Sequence, residues 1–381
     1  MKKKNLIGAI ALAFVFCLLS AGCEKQDDSG GTPSGPENGE YVEITANESA
    51  ADFVAKIRIG WNLGNTLDAH PNGETSWGNP RTTKAMITSI KDAGFNTIRI
   101  PVSWYQAAPK PNYTINPTWM NRVKEIVGYA MDNNMYIILN THHDEDIFKF
   151  MDADMPESKK AFKAIWEQIA AAFKDYSYNL IFEGLNEPRT KGSSSEWSGG
   201  TAAERKNLNE MHQLFVDTVR ASGGNNVKRI LMVSAYAASV EAAAVNGLVL
   251  PNDPSNTVSK LIVSTHSYSP YNFALNEGTG SVKTWSKNNS SDTSQITTWI
   301  SRVDTAFLSK GIPVIAGEFG ALNKDNEAAR AEWAEYYVSE AKKKGIPCIW
   351  WDDGGNFKLF NRSSRTFYYP SILAALMRGT Q

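Results

Sequence analysis

The sequence predicts a single α/β domain folded as a (β/α)8 (TIM) barrel. Three observations predict it. Short apolar runs alternate with longer stretches of helical periodicity, there are eight such pairs, and no Gly/Pro/Ser-rich linker interrupts them between residues 41 and 381. Eight units closing on themselves place the active site at the C-terminal ends of the strands. An open doubly wound sheet is the alternative, but Gly60-Trp61-Asn62-Leu63-Gly64-Asn65 has the wrong glycine spacing for a dinucleotide fingerprint.

The elements follow in order. A strand within 57–63 precedes a helix over 82–93, and a strand over 97–102 precedes a helix over 117–133. A strand over 136–140 leads to a helix over 156–173, and one over 180–185 to a long amphipathic stretch at 203–222. A strand over 229–234 enters the Ala-rich helical segment 237–245, and one over 261–265 is followed by a helix over 295–310. The last two pairs are 314–317 with 328–344, and 348–351 with 371–377.

The N-terminus reads as an address. Met1-Lys2-Lys3-Lys4, an apolar run over 6–19 and Ser20-Ala21-Gly22-Cys23 have the layout of a secretory signal, too short for a comfortable membrane span. Small residues ending on Cys resemble a bacterial lipoprotein signal over 1–22, with Cys23 lipidated, although Ser20 stands where such signals usually carry Leu. Residues 23–40 are polar, acidic and rich in Gly, Pro and Ser, a flexible tether ahead of the folded domain at 41–381. Cys17 falls in the signal, so only Cys348 belongs to the fold, as a buried strand thiol without a disulfide partner. With 39 Lys+Arg against 40 Asp+Glu the chain has no long-range field for a polyanion, which argues against nucleic acid.

Polar residues gather where the strands end. Arg99 lies in an apolar strand; His142 and His143 end the third strand, Asn186-Glu187-Pro188 the fourth, His266 and Tyr268 the sixth, Glu318 the seventh and Trp351 the eighth. Singly, each has a plain structural explanation: Asn-Glu-Pro caps a helix, Arg99 and Glu318 pair with any opposite charge, a Trp beside a strand fills a core. His142-His143-Asp144-Glu145-Asp146 suggests a metal cluster, but neighbouring strand residues point to opposite sides, so no metal is expected. His70 and His212, in a loop and a helix, are expected to do nothing specific.

Together they suggest more. Two carboxylates facing each other across a barrel mouth can flank one glycosidic bond, one protonated to assist the leaving oxygen and one ionised. Arg99 is expected beneath Glu318 as its counter-ion, Tyr268 as a hydrogen-bond donor to it, Glu187 protonated through limited hydration, and Trp351 as part of an aromatic floor under a sugar ring.

The chain resembles glycoside hydrolase family 5. The resemblance is carried by Ile98-Arg99-Ile100-Pro101, Asn140-Thr141-His142-His143, Phe182-Glu183-Gly184-Leu185-Asn186-Glu187-Pro188, His266-Ser267-Tyr268 and Ile315-Ala316-Gly317-Glu318-Phe319-Gly320. Residues 60–68, Glu74-Thr75-Ser76-Trp77-Gly78 and Trp350-Trp351-Asp352-Asp353-Gly354 are similar to its subfamily 4 of bacterial endo-β-1,4-glucanases. This implies a retaining endoglucanase without metal or cofactor. Glu187 would be the general acid/base and Glu318 the nucleophile. Asn186 would bond the sugar 2-hydroxyl, with Arg99, His142, His266 and Tyr268 in support. Trp351 would stack on a sugar, and Asn65, Asp68 and His143 would bind neighbouring sugars. Xyloglucanase, β-mannanase and a non-catalytic glycan-binding lipoprotein are the rivals. The expected partner is a β-glucan. The expected setting is a monomer in contact with the cell envelope only through its lipid, on the outward face of an outer membrane.

Overall fold

The computed structural model describes residues 41–71 and 73–381; the expected signal peptide, Cys23 and the tether lie outside the described residues. Ahead of the first strand stands a helix that the periodicity did not suggest, α1 (Ala50–Lys56), started by a reciprocal capping box between Ser49 and Asp52. At seven residues it is too short for its pattern to stand out.

Eight strands follow: β1 (Gly60–Leu63), β2 (Thr97–Ile100), β3 (Tyr136–Asn140), β4 (Leu180–Glu183), β5 (Leu231–Ser234), β6 (Leu261–His266), β7 (Val314–Phe319) and β8 (Cys348–Asp352). They form one closed barrel in sequence order, every pair parallel, with β8 returning to β1 so that Asn62 lies opposite Trp351. Every strand residue is buried, which is why the strands read as continuous apolar runs.

The outer ring consists of α2 (Lys84–Asp92), α3 (Pro117–Asp132), α4 (Met155–Phe173), α5 (Ala202–Ala221), α6 (Ala242–Gly247), α8 (Ser290–Ala306), α9 (Glu327–Lys342) and α10 (Pro370–Gly379), with the single turn α7 (Tyr271–Ala274) in the β6–α8 connection. The expected helix over 237–245 is replaced by a 3-10 turn at Tyr236–Ala238 and the short α6. Ala237 and Ala238 take φ of 55° and 50°, which a right-handed helix cannot contain. A two-stranded ribbon of β9 (Phe360–Asn361) and β10 (Thr366–Phe367) was too short to read from sequence.

Among the described residues the apolar side chains form a small cluster of Leu322, Trp351 and Phe357 and two large cores. One fills the space between strands and helices; the other fills the barrel with Ile138, Ile181, Met232, Ile262, Ile315 and Ile349, and Phe53, Val54 and Ile57 of the α1 segment pack with it. Cys348 is buried, as expected, and its burial pushes the thiol pKa up. Among the described residues no helix is long and apolar enough to cross a membrane.

Candidate active site

The side chains of Asn62, Arg99, Asn140 and Glu183, all fully buried, form a hydrogen-bonded set on β1 to β4. A buried guanidinium needs partners on every side. Arg99 donates from Nε to Glu183 Oε2 at 2.7 Å, from Nη1 to Asn62 Oδ1 at 3.0 Å and Glu318 Oε1 at 2.8 Å, and from Nη2 to Asn186 Oδ1 at 2.7 Å. Burial opposes its charge, but Glu183 and then Glu318 outweigh burial and hold its pKa above the ordinary value. Sequence reading passed over Glu183 and Asn62, although a glutamate in an apolar strand carried the same signal as Arg99.

Glu318 is aimed by an irregularity of β7. Thr265 pairs with Ala316 and His266 with Glu318, so β7 spends one extra residue there, at Gly317. A Cβ at Gly317 would stand 2.6 Å from Ser264 Oγ and 3.1 Å from His266 Nε2, so only glycine fits. Tyr268 donates to the other oxygen of Glu318 at 2.8 Å, and burial, then the Glu318 charge, pushes its phenol well above the usual range. Both expected partners of Glu318 are therefore in place.

Glu187 is held from the opposite wall. His266 Nδ1 lies 2.9 Å from Glu187 Oε1 and 3.6 Å from Glu318 Oε2. One oxygen of Glu187 lies within 4.8 Å of one oxygen of Glu318. The expectation of a protonated Glu187 is not met in this state. Burial does push its carboxyl up, but the His266 hydrogen bond and the charges of His266 and Arg189 hold it below its ordinary value. His266 shifts upward in turn, since Glu318 and Glu187 outweigh its burial. Each group thus favours the charged form of the other across the 2.9 Å contact.

Around the pair, His142 lies parallel to Trp351, ring centroids 5.6 Å apart, and burial together with neighbouring positive charge keeps it neutral. Gly64 leaves room for that indole, since a Cβ there would meet the Trp351 ring at 2.9 Å. The expected divergence of His142 and His143 is not observed: both lie past the end of β3, where strand alternation no longer applies, and their rings are 4.4 Å apart. Asp68 is fully buried and caps its own turn, accepting from the backbone N–H of Asn65 and Thr66 at 3.0 and 2.6 Å. His143 Nε2 stands 4.0 Å from it and Nδ1 3.7 Å from Glu145. His70, given no role from sequence, packs on Trp77, Tyr105 and His143 at the rim. Two trios, Asp68 with His142 and His143, and Glu187 with His266 and Glu318, bring donor atoms within 4.8 Å of one another, close enough for a cation. Their carboxylates already accept hydrogen bonds from protein groups, and the charge of Glu318 is met by Arg99.

These side chains open on a cleft of about 640 Å³ whose lining includes Trp351, His143, both carboxylates, Trp197, Glu241 and Arg302. Carboxyl groups roughly 5–5.5 Å apart suit attack by one of them on a sugar carbon, whereas about 6.5–9.5 Å leaves space for a water. With the nearest oxygens of Glu187 and Glu318 within 4.8 Å, the fold and the site are those a glycoside hydrolase needs and suit the closer, retaining arrangement.

The sequence profile of Cellulase (glycosyl hydrolase family 5) matches residues 64–356. Endoglucanase B of Neocallimastix patriciarum is 44% identical over 351 residues, covering 87% of this chain and 72% of that protein. A subfamily 4 broad-specificity endoglucanase from Ruminococcus champanellensis, solved with bound cellotriose, superposes with a TM-score of 0.83 at 46% identity, over 87% of this chain and 99% of that one. A lichenase from Caldicellulosiruptor sp. F32, solved with cellotetraose as a variant, gives a TM-score of 0.84 at 41% identity over 91% and 99%. This chain belongs to glycosyl hydrolase family 5, a retaining family whose fold is the (β/α)8 barrel.

Proposed function

We propose that the enzyme is an endo-β-1,4-glucanase of subfamily 4, cutting inside cellulose-like and mixed-linkage glucan chains by double displacement. The observation that carries this reading is the pair Glu187 and Glu318, with oxygens within 4.8 Å, in an open cleft. Glu318, oriented by Arg99 and Tyr268, attacks the anomeric carbon as Glu187 passes a proton to the leaving oxygen. The proton between His266 Nδ1 and Glu187 Oε1 is the one delivered. Glu187 then removes a proton from the water that frees the sugar. Asn186, whose Oδ1 is occupied by Arg99, has its amide left to donate to the sugar 2-hydroxyl, a bond that strengthens in the transition state. Trp351 carries the ring under attack and His143 borders the next one, while Asp68, fully buried, does not reach a sugar and instead holds the Asn65 turn.

Proton NMR of the first products tests the mechanism: retained β-configuration is expected, and inverted product would overturn it. Xyloglucan is the second reading, favoured by the open cleft of about 640 Å³ and by neighbours described as broad in specificity. Initial rates on carboxymethyl-cellulose, mixed-linkage glucan, xyloglucan and mannan separate the readings, with mannan expected to be poorest.

Residues 1–23 support lipidation at Cys23 and display of the catalytic domain on the cell surface by the 23–40 tether. Shaving intact cells with protease should release the domain; protection would place it behind the outer membrane. Cys23→Ser should leave the enzyme unlipidated.

A further inference from the structure

Behind Glu187 lies a charge cluster that the function above does not use. Arg189 directly follows Asn186-Glu187-Pro188 and is 11% exposed. Its Nη1 donates to the Glu187 carbonyl at 2.9 Å and lies 3.6 Å from Glu187 Oε2 and 3.2 Å from Glu145 Oε1. Its Nε donates to Glu196 Oε1 at 3.0 Å, and Glu196 Oε2 accepts the Gly192 N–H at 2.8 Å. The guanidinium lies 4.7 Å from the ring centroid of Trp197, an indole 61% exposed that lines the cleft. One cation thus ties three carboxylates from two connections, β3–α4 and β4–α5, to a wall of the cleft. The planar fork of arginine makes this possible, since its donors leave in fixed directions.

We propose that Arg189 is a positioning residue for Glu187: it holds the acid/base carboxyl against the cleft wall and, through a charge divided among Glu187, Glu145 and Glu196, sets the pH above which the enzyme loses its acid. This rests on the assignment of Glu187 as acid/base. An acid that must give a proton and then take one back works best with an affinity near the working pH. Other charged groups facing Glu187 are His266 from β6, Glu318 from β7 and His143 from the loop after β3, with Arg99 beneath. None of these touches Glu196, so Glu196 gives separate control of the Arg189 contribution.

The test is the pH profile of kcat/KM on a soluble glucan, with thermal melting run in parallel. Arg189→Met removes the cation, so Glu187 keeps its proton longer and the basic limb should move up by about 0.5–1 pH unit. Glu196→Gln removes a competitor for the cation, and the limb should move down. Arg189→Lys keeps the charge without the fork, so the limb should stay near that of the native enzyme while kcat falls. A basic limb unmoved in both Arg189→Met and Glu196→Gln overturns the proposal; if Arg189→Met does not fold, the direction of Glu196→Gln decides. Glu187→Gln checks the underlying assignment separately: it should cleave activated aryl cellobiosides while failing on glucan. If it cleaves glucan normally the acid/base assignment itself falls, and if only the limbs stay put the Arg189 role alone falls.

Discussion

Arg99 shows how much one side chain organises. It meets Glu183, Asn62, Glu318 and Asn186 at once, with no exposed surface. Removing one partner of a buried ion pair typically costs about 3–5 kcal/mol, because the other charge is left uncompensated. Glu183→Gln should therefore lower the unfolding free energy by an amount in that range, read from the shifted denaturation midpoint, and turnover with it through loosening of Glu318. An unchanged midpoint would show that Asn62 and Glu318 suffice. Glu318→Ala should lower kcat at least about 1000-fold, in a protein that still folds but melts at a lower temperature, because Arg99 loses one of its two buried carboxylate partners. Substantial turnover would remove Glu318 from its role. At this scale the sequence was informative wherever a polar group ended a strand: Arg99, His142, Asn186, Glu187, His266, Tyr268, Glu318 and Trp351 surround one cleft or its floor. It was silent on Arg189 and noticed Glu145 only within a metal-like run, because their loop positions gave no periodicity to read.

Among the elements, β7 matters most for the chemistry. Its extra residue at Gly317 turns Glu318 toward the cleft, and a regular strand would have sent the next side chain to the other face. Gly317→Ala should lower kcat more than about tenfold at a stability cost of about 1–3 kcal/mol, since the new methyl collides with Ser264 and His266. Kinetics with denaturant melts check this, and native kcat would mean that β7 shifts freely. The strand positions were readable because strands buried on both faces need unbroken apolar runs. The bulge was not, because Ala316-Gly317-Glu318 reads equally well as an ordinary strand end. Helix α6 was misjudged for a related reason: alanine favours a helix locally, but the left-handed backbone at Ala237 and Ala238 is imposed by packing.

For the whole molecule, barrel closure depends on what fills it. Phe53 of α1, fully buried, joins the interior cluster, so Phe53→Ala should cost about 3–5 kcal/mol, read from denaturant melts, with little change in KM. A smaller loss would mean that the N-terminal segment packs loosely. His212 gives the fold a pH dependence. Burial pushes its pKa down to about 4, although the Ser234 carbonyl it bonds at 2.8 Å favours its charge. The unfolded chain binds a proton there below about 6.5 and the folded one only near 4, so this stability is present above 6.5 and is lost as pH falls through that window, by about 3 kcal/mol in all. His212→Gln should flatten the fall in melting temperature between those two values, and an unaltered slope would assign it to other groups.

The sequence by itself determined the number and order of the barrel strands, the helices long enough to show a period, and which polar residues would crowd the barrel mouth. These follow from burial, which every apolar run records locally. Only the tertiary structure decided that the carboxylate oxygens approach within 4.8 Å, that Arg99 lies under Glu318, and that His266 and Arg189 lower the proton affinity of Glu187. Distances between strands far apart in the chain depend on register, a bulge and closure, and proton affinity depends on those distances.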